Sequence, residues 1–239
     1  MSKFQFNVGF CVFFSLLMFV WGLSISAQST IYNVPSTDTV PEKLFYFEAD
    51  FASHFDDYRK GGFQSYGYRT VYGVTKKLEV GANFFYTCNQ SGSAKEFQPN
   101  LKYKVYENEK YGVAVATGAI FFVPLDKQAG TRTYGSFYTT ASKMVKGANG
   151  LRLTGGGYTV VGAERDFGTK NGVILGLEQP LKQRLSLLVD WYSGKNRFGY
   201  SAAGFGYGIT KRQFIFAGYN FGNSGRANNA FSAFYGFTF

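Results

Sequence analysis

The sequence predicts an all-β chain, an antiparallel transmembrane up-and-down β-barrel of about twelve strands. Three observations lead there. Runs close to the roughly 9–11 residues of a tilted membrane-crossing strand alternate apolar and polar side chains along most of the chain. Short, mostly basic connections alternate with longer polar ones, the asymmetry of a closed meander whose termini share one rim. Aromatic residues make up 20% of the chain beside 30 Gly and only 5 Pro, as expected where strands carry alternate large and small side chains.

The front end sets the compartment. Lys3 precedes an apolar run over residues 10–23 (FCVFFSLLMFVWGL), shorter than the roughly 20 residues of a spanning helix, and the small residues of SISAQ follow. Residues 1–27 read as a cleaved secretory signal peptide. Residues 28–42 (QSTIYNVPSTDTVPE) read as a polar periplasmic tail, and residues 43–239 as one barrel domain. Cleavage removes Cys11, so the remaining Cys88 has no internal disulfide partner.

The first run, residues 44–55, places Phe45, Phe47, Ala49, Phe51 and Phe55 on one face and Tyr46, Glu48, Asp50, Ala52 and His54 on the other. In VYGVTKKLEVGANFFYT a basic turn joins two alternating runs, with Leu78, Val80, Ala82, Phe84, Tyr86 and Cys88 sharing the apolar face. The next two runs meet at ENEK, residues 107–110. Later pairs meet at KGAN, PLKQ and TKR, while DDYRKGG, QSGSAKE, PLDKQAG, GAERDFGTK, GKNR and NSGRANN make the opposite, longer connections. Alternation is weakest over residues 131–145. The final run, FSAFYGFTF, puts Phe231, Ala233, Tyr235, Phe237 and Phe239 on one face.

Alternation alone fits a soluble calyx as well as a lipid-exposed barrel. The sparsely charged polar faces, rich in Gly, Ala and Ser, favour a confined interior. Tyr66, Tyr72, Trp191 and Tyr235 near strand ends suit an aromatic girdle at two interfaces. On these registers Glu48, Asp50, Arg69, Glu79, Lys102, Lys104, Arg152, Glu178 and Asp190 face inward. Mixed charges there either pair and fill the lumen or line a water-filled path with a selective field. Lys102 and Lys104 acting against Glu48 and Asp50 are the expected selectivity pairs.

Catalytic chemistry is thin. His54, the only histidine, shares a face with Glu48 and Asp50, but its neighbour Ser53 points to the other face and cannot easily serve it. A serine from another strand would be required for a hydrolase, so His54 is read as a rim residue and the protein as a non-enzyme. Same-face strand residues lie about 7 Å apart, too far for His54, Asp50 and Glu48 to share one ion, and no metal or other cofactor is expected. The formal charge of +10 falls mostly in turns rather than in a basic stripe, which favours anionic lipid or lipopolysaccharide over nucleic acid as a neighbour.

The last strand resembles the insertion signal of bacterial outer-membrane β-barrel proteins, with Phe231, Tyr235, Phe237 and Phe239 as the matching residues. The resemblance implies residence in the outer membrane of a Gram-negative-type bacterium and recognition by the barrel-assembly machinery. The hairpin YGVTKKLEVGAN is also similar to turns of small outer-membrane channels grouped with meta-pathway phenol degradation. That likeness implies passage of small solutes, hydrophilic or amphipathic. A structural or adhesive barrel with a closed lumen and functional external loops is the alternative, and a barrel hydrolase using His54 a third.

Overall fold

The computed structural model describes residues 29–225 and 228–239. The expected signal peptide lies outside them. Twelve strands follow one another as a meander: β1 (Phe45–His54), β2 (Phe63–Gly73), β3 (Leu78–Asn89), β4 (Gly92–Asn108), β5 (Val113–Pro124) and β6 (Tyr134–Met144) form the first half. The second half comprises β7 (Arg152–Val161), β8 (Asn171–Lys182), β9 (Leu185–Tyr192), β10 (Tyr200–Gly208), β11 (Gln213–Gly222) and β12 (Ala230–Thr238). Every neighbouring pair is antiparallel, and β1 pairs with β12 to close the barrel. Closure leaves no free sheet edge and satisfies backbone groups that hydrocarbon could not.

The seam falls where the aromatic C-terminus meets the first strand. Phe45 N–H donates to Phe239 O and Phe239 N–H donates to Phe45 O, both at 2.9 Å. Outside the wall, Phe45 lies against Phe239, and Phe47 against Phe237, with ring centroids 5.8 and 5.4 Å apart. The aromatic face of FSAFYGFTF therefore points outward. Inward from the same strand, Ser232 and Phe234 are buried.

The two faces of the wall match the alternation. Outward positions such as Val80, Phe84, Leu101, Tyr103, Leu153, Leu175 and Phe205 remain exposed, a band of apolar side chains around the barrel. Exposure on that scale is the signature of a surface solvated by lipid. Cys88, a free thiol, is half-buried on this outer face. Residues 131–145, weakest in pattern, contain the regular strand β6: its inward side chains are Tyr134, Ser136, Tyr138, Thr140 and Ser142, while its outward ones include Thr139 and Ala141. Each face mixes sizes, with Ser136, Thr140 and Ser142 beside two tyrosines inside and Phe137 and Lys143 beside Thr139 and Ala141 outside, so the usual contrast is blurred.

The inner wall is two-sided. Strands β1–β6 supply most of its buried polar groups, among them Glu48, Asp50, Glu79, Asn83, Glu96, Gln98, Lys102 and Thr140. Strands β8–β12 supply Ile174, Leu188, Phe216 and Phe234.

Candidate functional site: a lumen filled from one end

Residues 29–40 of the expected polar tail are folded back inside the barrel, and Pro41 and Glu42 lie exposed at its root. Ile31, Tyr32 and Val34 have no solvent exposure and Val40 has 1%. The segment makes a tight turn, with Ile31 N–H donating to Val34 O at 2.8 Å, Ser36 N–H to Ser29 O at 3.1 Å, and a bridge between Thr30 and Pro35. Its partners come from all round the wall, so it occupies the lumen rather than one side of it. Thr39 Oγ1 donates to Lys76 O in the β2–β3 turn, which places the root of the segment at the short-turn end.

Each face of this plug meets the matching face of the lumen. The Tyr32 ring stands edge-on to Phe216 and Phe234, at centroid distances of 4.3 and 5.4 Å. Glycines make the room: a Cβ on Gly176 would come 2.3 Å from Ile31 Cδ1, and one on Gly218 would come 2.7 Å from Tyr32 Cε2. On the polar side Thr37 Oγ1 and Ser142 Oγ share a hydrogen bond of 2.6 Å.

Four of the nine charges expected to line an open lumen hold the plug. Asp190 Oδ2 accepts the backbone N–H of Tyr32, Asn33 and Val34 at 3.2, 2.6 and 2.7 Å. Three successive amides converging on one carboxylate oxygen form an anion nest in which the anion belongs to the wall. Glu79 Oε2 accepts the N–H of Val40 at 2.7 Å, and its other oxygen accepts from the Ser29 hydroxyl. Lys102 Nζ sits 3.1 Å from Glu79 and donates to the carbonyls of Ser29 and Asp38, both at 2.7 Å. Arg152 reaches Asp38 at 2.7 Å while its fork holds Glu178 through two bonds of 2.6 Å. Glu178 thus orients an anchor without touching the plug through a polar bond.

The remaining charges pair within the wall. Arg69 Nε lies 2.5 Å from Asp50 and 3.2 Å from Glu48, and the Tyr46 hydroxyl donates to Glu48. Lys104 pairs with Glu107 at 2.9 Å. The expected opposition of Lys102 and Lys104 to Glu48 and Asp50 is therefore not formed: each lysine has its carboxylate on β3 or β4, and Glu48 and Asp50 are held by Arg69 from the adjacent strand. Cross-strand pairing at Glu48↔Arg69, Glu79↔Lys102 and Arg152↔Glu178 explains the choice, since directly opposed side chains share a face.

Above the plug the lumen opens into a cavity of about 430 Å³, with Asn33 in its floor. Arg69, Asn83, Gln98 and Glu96 line one wall, and Phe122, Tyr192 and Tyr200 line another. The β9–β10 connection folds over it. Arg197 binds Glu96 at 2.8 and 3.1 Å, donates to Tyr134 Oη at 2.7 Å, and stacks 5.2 Å from the centre of the Phe122 ring. Phe198 packs beside it against Phe122, Phe167 and Tyr192. Arg197 and Glu96 were missed because GKNR reads as a loop, and nothing local shows that a loop turns inward across a barrel.

His54 sits at the long-connection rim, with Nδ1 2.8 Å from the carbonyl of Asn229 and its ring stacked on Phe63. Ser53 instead donates to Phe63 O at 3.0 Å. Among the described residues no cluster of three or more His, Cys, Asp or Glu is arranged to hold a metal ion.

A closed twelve-strand meander with an apolar outer band and a polar, charged interior is the architecture of an outer-membrane β-barrel. Solved structures of that class share it. The KdgM porin superposes with a TM-score of 0.57 at 7% identity, over 80% of this chain and 98% of its own; a second structure of it holds disordered oligogalacturonate. An outer-membrane channel from Pseudomonas putida F1 gives 0.53 at 11% identity, over 85% of this chain and 98% of its own. At such identities the likeness is one of fold alone. No family model and no curated protein matches the chain.

Proposed function

We propose that the protein is a non-catalytic outer-membrane channel for small hydrophilic or amphipathic solutes whose resting state is closed by its own N-terminal segment. The observation that carries this reading is the way the plug is held. Its polar anchors are hydrogen bonds and ion pairs to Asp190, Glu79, Lys102, Arg152, Ser142 and the Lys76 carbonyl, groups that water can replace, and no strand of the wall depends on it for pairing. Residues 29–42 can leave without opening the sheet. In this reading the short turns face the periplasm, the longer connections face outward, and solutes reach the cavity beneath Arg197 first. Cleavage after residue 27 frees the segment to enter the barrel, and Phe231, Tyr235, Phe237 and Phe239 serve assembly.

Planar-bilayer conductance tests the proposal on two chains, residues 28–239 and the same chain lacking residues 28–40, each verified as folded by a heat-shift gel. The channel reading expects small or infrequent steps from the first and larger, frequent, ion-selective steps from the second. A folded deletion variant that stays silent overturns it. That result would favour the closed structural barrel, which the buried packing of Tyr32 against Phe216 and Phe234 also supports.

A further inference from the structure

The barrel topology gathers five separate turns onto one rim, and each brings a basic side chain. Lys77 (β2–β3), Lys110 (β4–β5), Lys146 (β6–β7), Lys182 (at the β8–β9 turn) and Arg212 (β10–β11) are all exposed. Among the described residues none of the five forms an ion pair with a carboxylate. The rim's acids are few, and one of them, Glu107, is taken by Lys104. Because the sheet is closed, the five charges are spaced round a ring rather than gathered in a patch.

Their height on the barrel is fixed by their neighbours. Exposed apolar side chains, Tyr111, Leu181 and Ile209, adjoin the basic residues in three of these turns. Lys110 Nζ lies 5.7 Å from the centre of the Tyr111 ring. An apolar side chain marks the edge of the hydrocarbon, so a cation one to three residues away in the turn stands at the level of the headgroups.

We infer that this basic ring binds the headgroup phosphates of anionic glycerophospholipids in the leaflet facing the short turns. The inference rests on the reading of the chain as a membrane-spanning barrel and adds the leaflet, the headgroup chemistry and the residues. A phosphate at that level meets an unpaired cation at each turn. A zwitterionic headgroup carries its own ammonium and gains less from the same contact. Aliphatic stems lying along the apolar collar keep each cation close to the interface without burying it.

Native mass spectrometry of the chain released from bilayers of mixed phosphatidylethanolamine and phosphatidylglycerol tests this. Phosphatidylglycerol should be retained about tenfold over phosphatidylethanolamine at low ionic strength, a modest demand on five cations at the membrane surface. The preference should shrink at high salt as the Debye length falls to about 3 Å. The variant K77Q/K110Q/K146Q/K182Q/R212Q should retain the two lipids equally, while a control neutralising Arg59, Lys60, Lys127 and Lys195 on the opposite rim should keep the preference. Equal retention by the unaltered chain, or an undiminished preference in the five-site variant, overturns the inference. So does displacement of the lipid by inorganic phosphate, which would assign the ring to a free anion. Failure of the chain to enter bilayers at all would instead count against the membrane-spanning reading beneath it.

Discussion

Asp190 on β9 accepts the backbone N–H of Asn33 at 2.6 Å, with Tyr32 and Val34 donating to the same oxygen. One wall carboxylate thus fixes the tip of a segment joined to the barrel more than a hundred residues earlier in sequence. Asp190→Ala removes the acceptor from three buried amides. A hydrogen bond to a charged group contributes roughly 1.5–3 kcal/mol, so the loss of even one should speed hydrogen exchange at residues 32–34 about tenfold or more. Exchange unchanged at those amides would show that the apolar contacts alone hold the tip.

Glu79 and Lys102 form a buried pair that also holds the root of the plug. Lys102→Met strands the Glu79 carboxylate and should destabilise the fold by about 3–5 kcal/mol. The double variant E79Q/K102M should recover most of that loss, because no uncompensated charge remains. Urea midpoints of the refolded chains, followed by the gel-shift fraction, make the comparison; a double variant weaker than the single one would contradict it.

Gly176 offers a way to disturb the plug without touching the wall. Its Cβ would lie 2.3 Å from Ile31 Cδ1, while the next atoms stand at 3.6 and 3.7 Å. Gly176→Val should therefore push Ile31 aside at a cost of about 1–3 kcal/mol, leaving β8 paired. The expected readout is conductance between that of the intact chain and that of the plug deletion, with an unaltered heat-shift gel.

Arg197 braces the outer mouth against Glu96. Arg197→Ala in the plug-deleted chain should widen the mouth and leave a carboxylate facing the path. The reversal potential in a salt gradient should move toward cation preference, since a positive charge is lost and Glu96 stays. A shift toward anions, or none, would mean that the conduction path avoids this cavity.

Phe239 has two separable jobs. Its backbone exchanges two hydrogen bonds with Phe45, and its side chain stands 56% exposed on the outer face. Deleting the residue removes both; Phe239→Ala removes only the ring. Equal loss of assembled barrel in cells for both variants would assign the effect to recognition of the ring, whereas normal assembly of Phe239→Ala would assign it to closure.

The strand count and the outward turn of FSAFYGFTF were legible because alternation is a local property with a period of two. Even the partners of Glu48, Glu79 and Arg152 follow from neighbouring strands once register is known. The position of residues 29–42 was not legible. STIYNVPSTDTV has neither strand nor helix period, since its apolar residues, Ile31, Tyr32, Val34 and Val40, match a lumen surface rather than a repeating face. The nearest signals were the inward glycines Gly176 and Gly218, which vacate the volume that Ile31 and Tyr32 fill.

The sequence by itself determined a closed β-barrel with an apolar exterior and a charged interior, because each strand carries its own division of faces. Only the tertiary structure decided what those charges do. Asp190, Glu79, Lys102 and Arg152 acquire a shared task when closure brings β3, β4, β7 and β9 around one narrow space, and a buried charge there must find a partner. The plug's own backbone, invisible to any reading of side-chain pattern, supplies much of it.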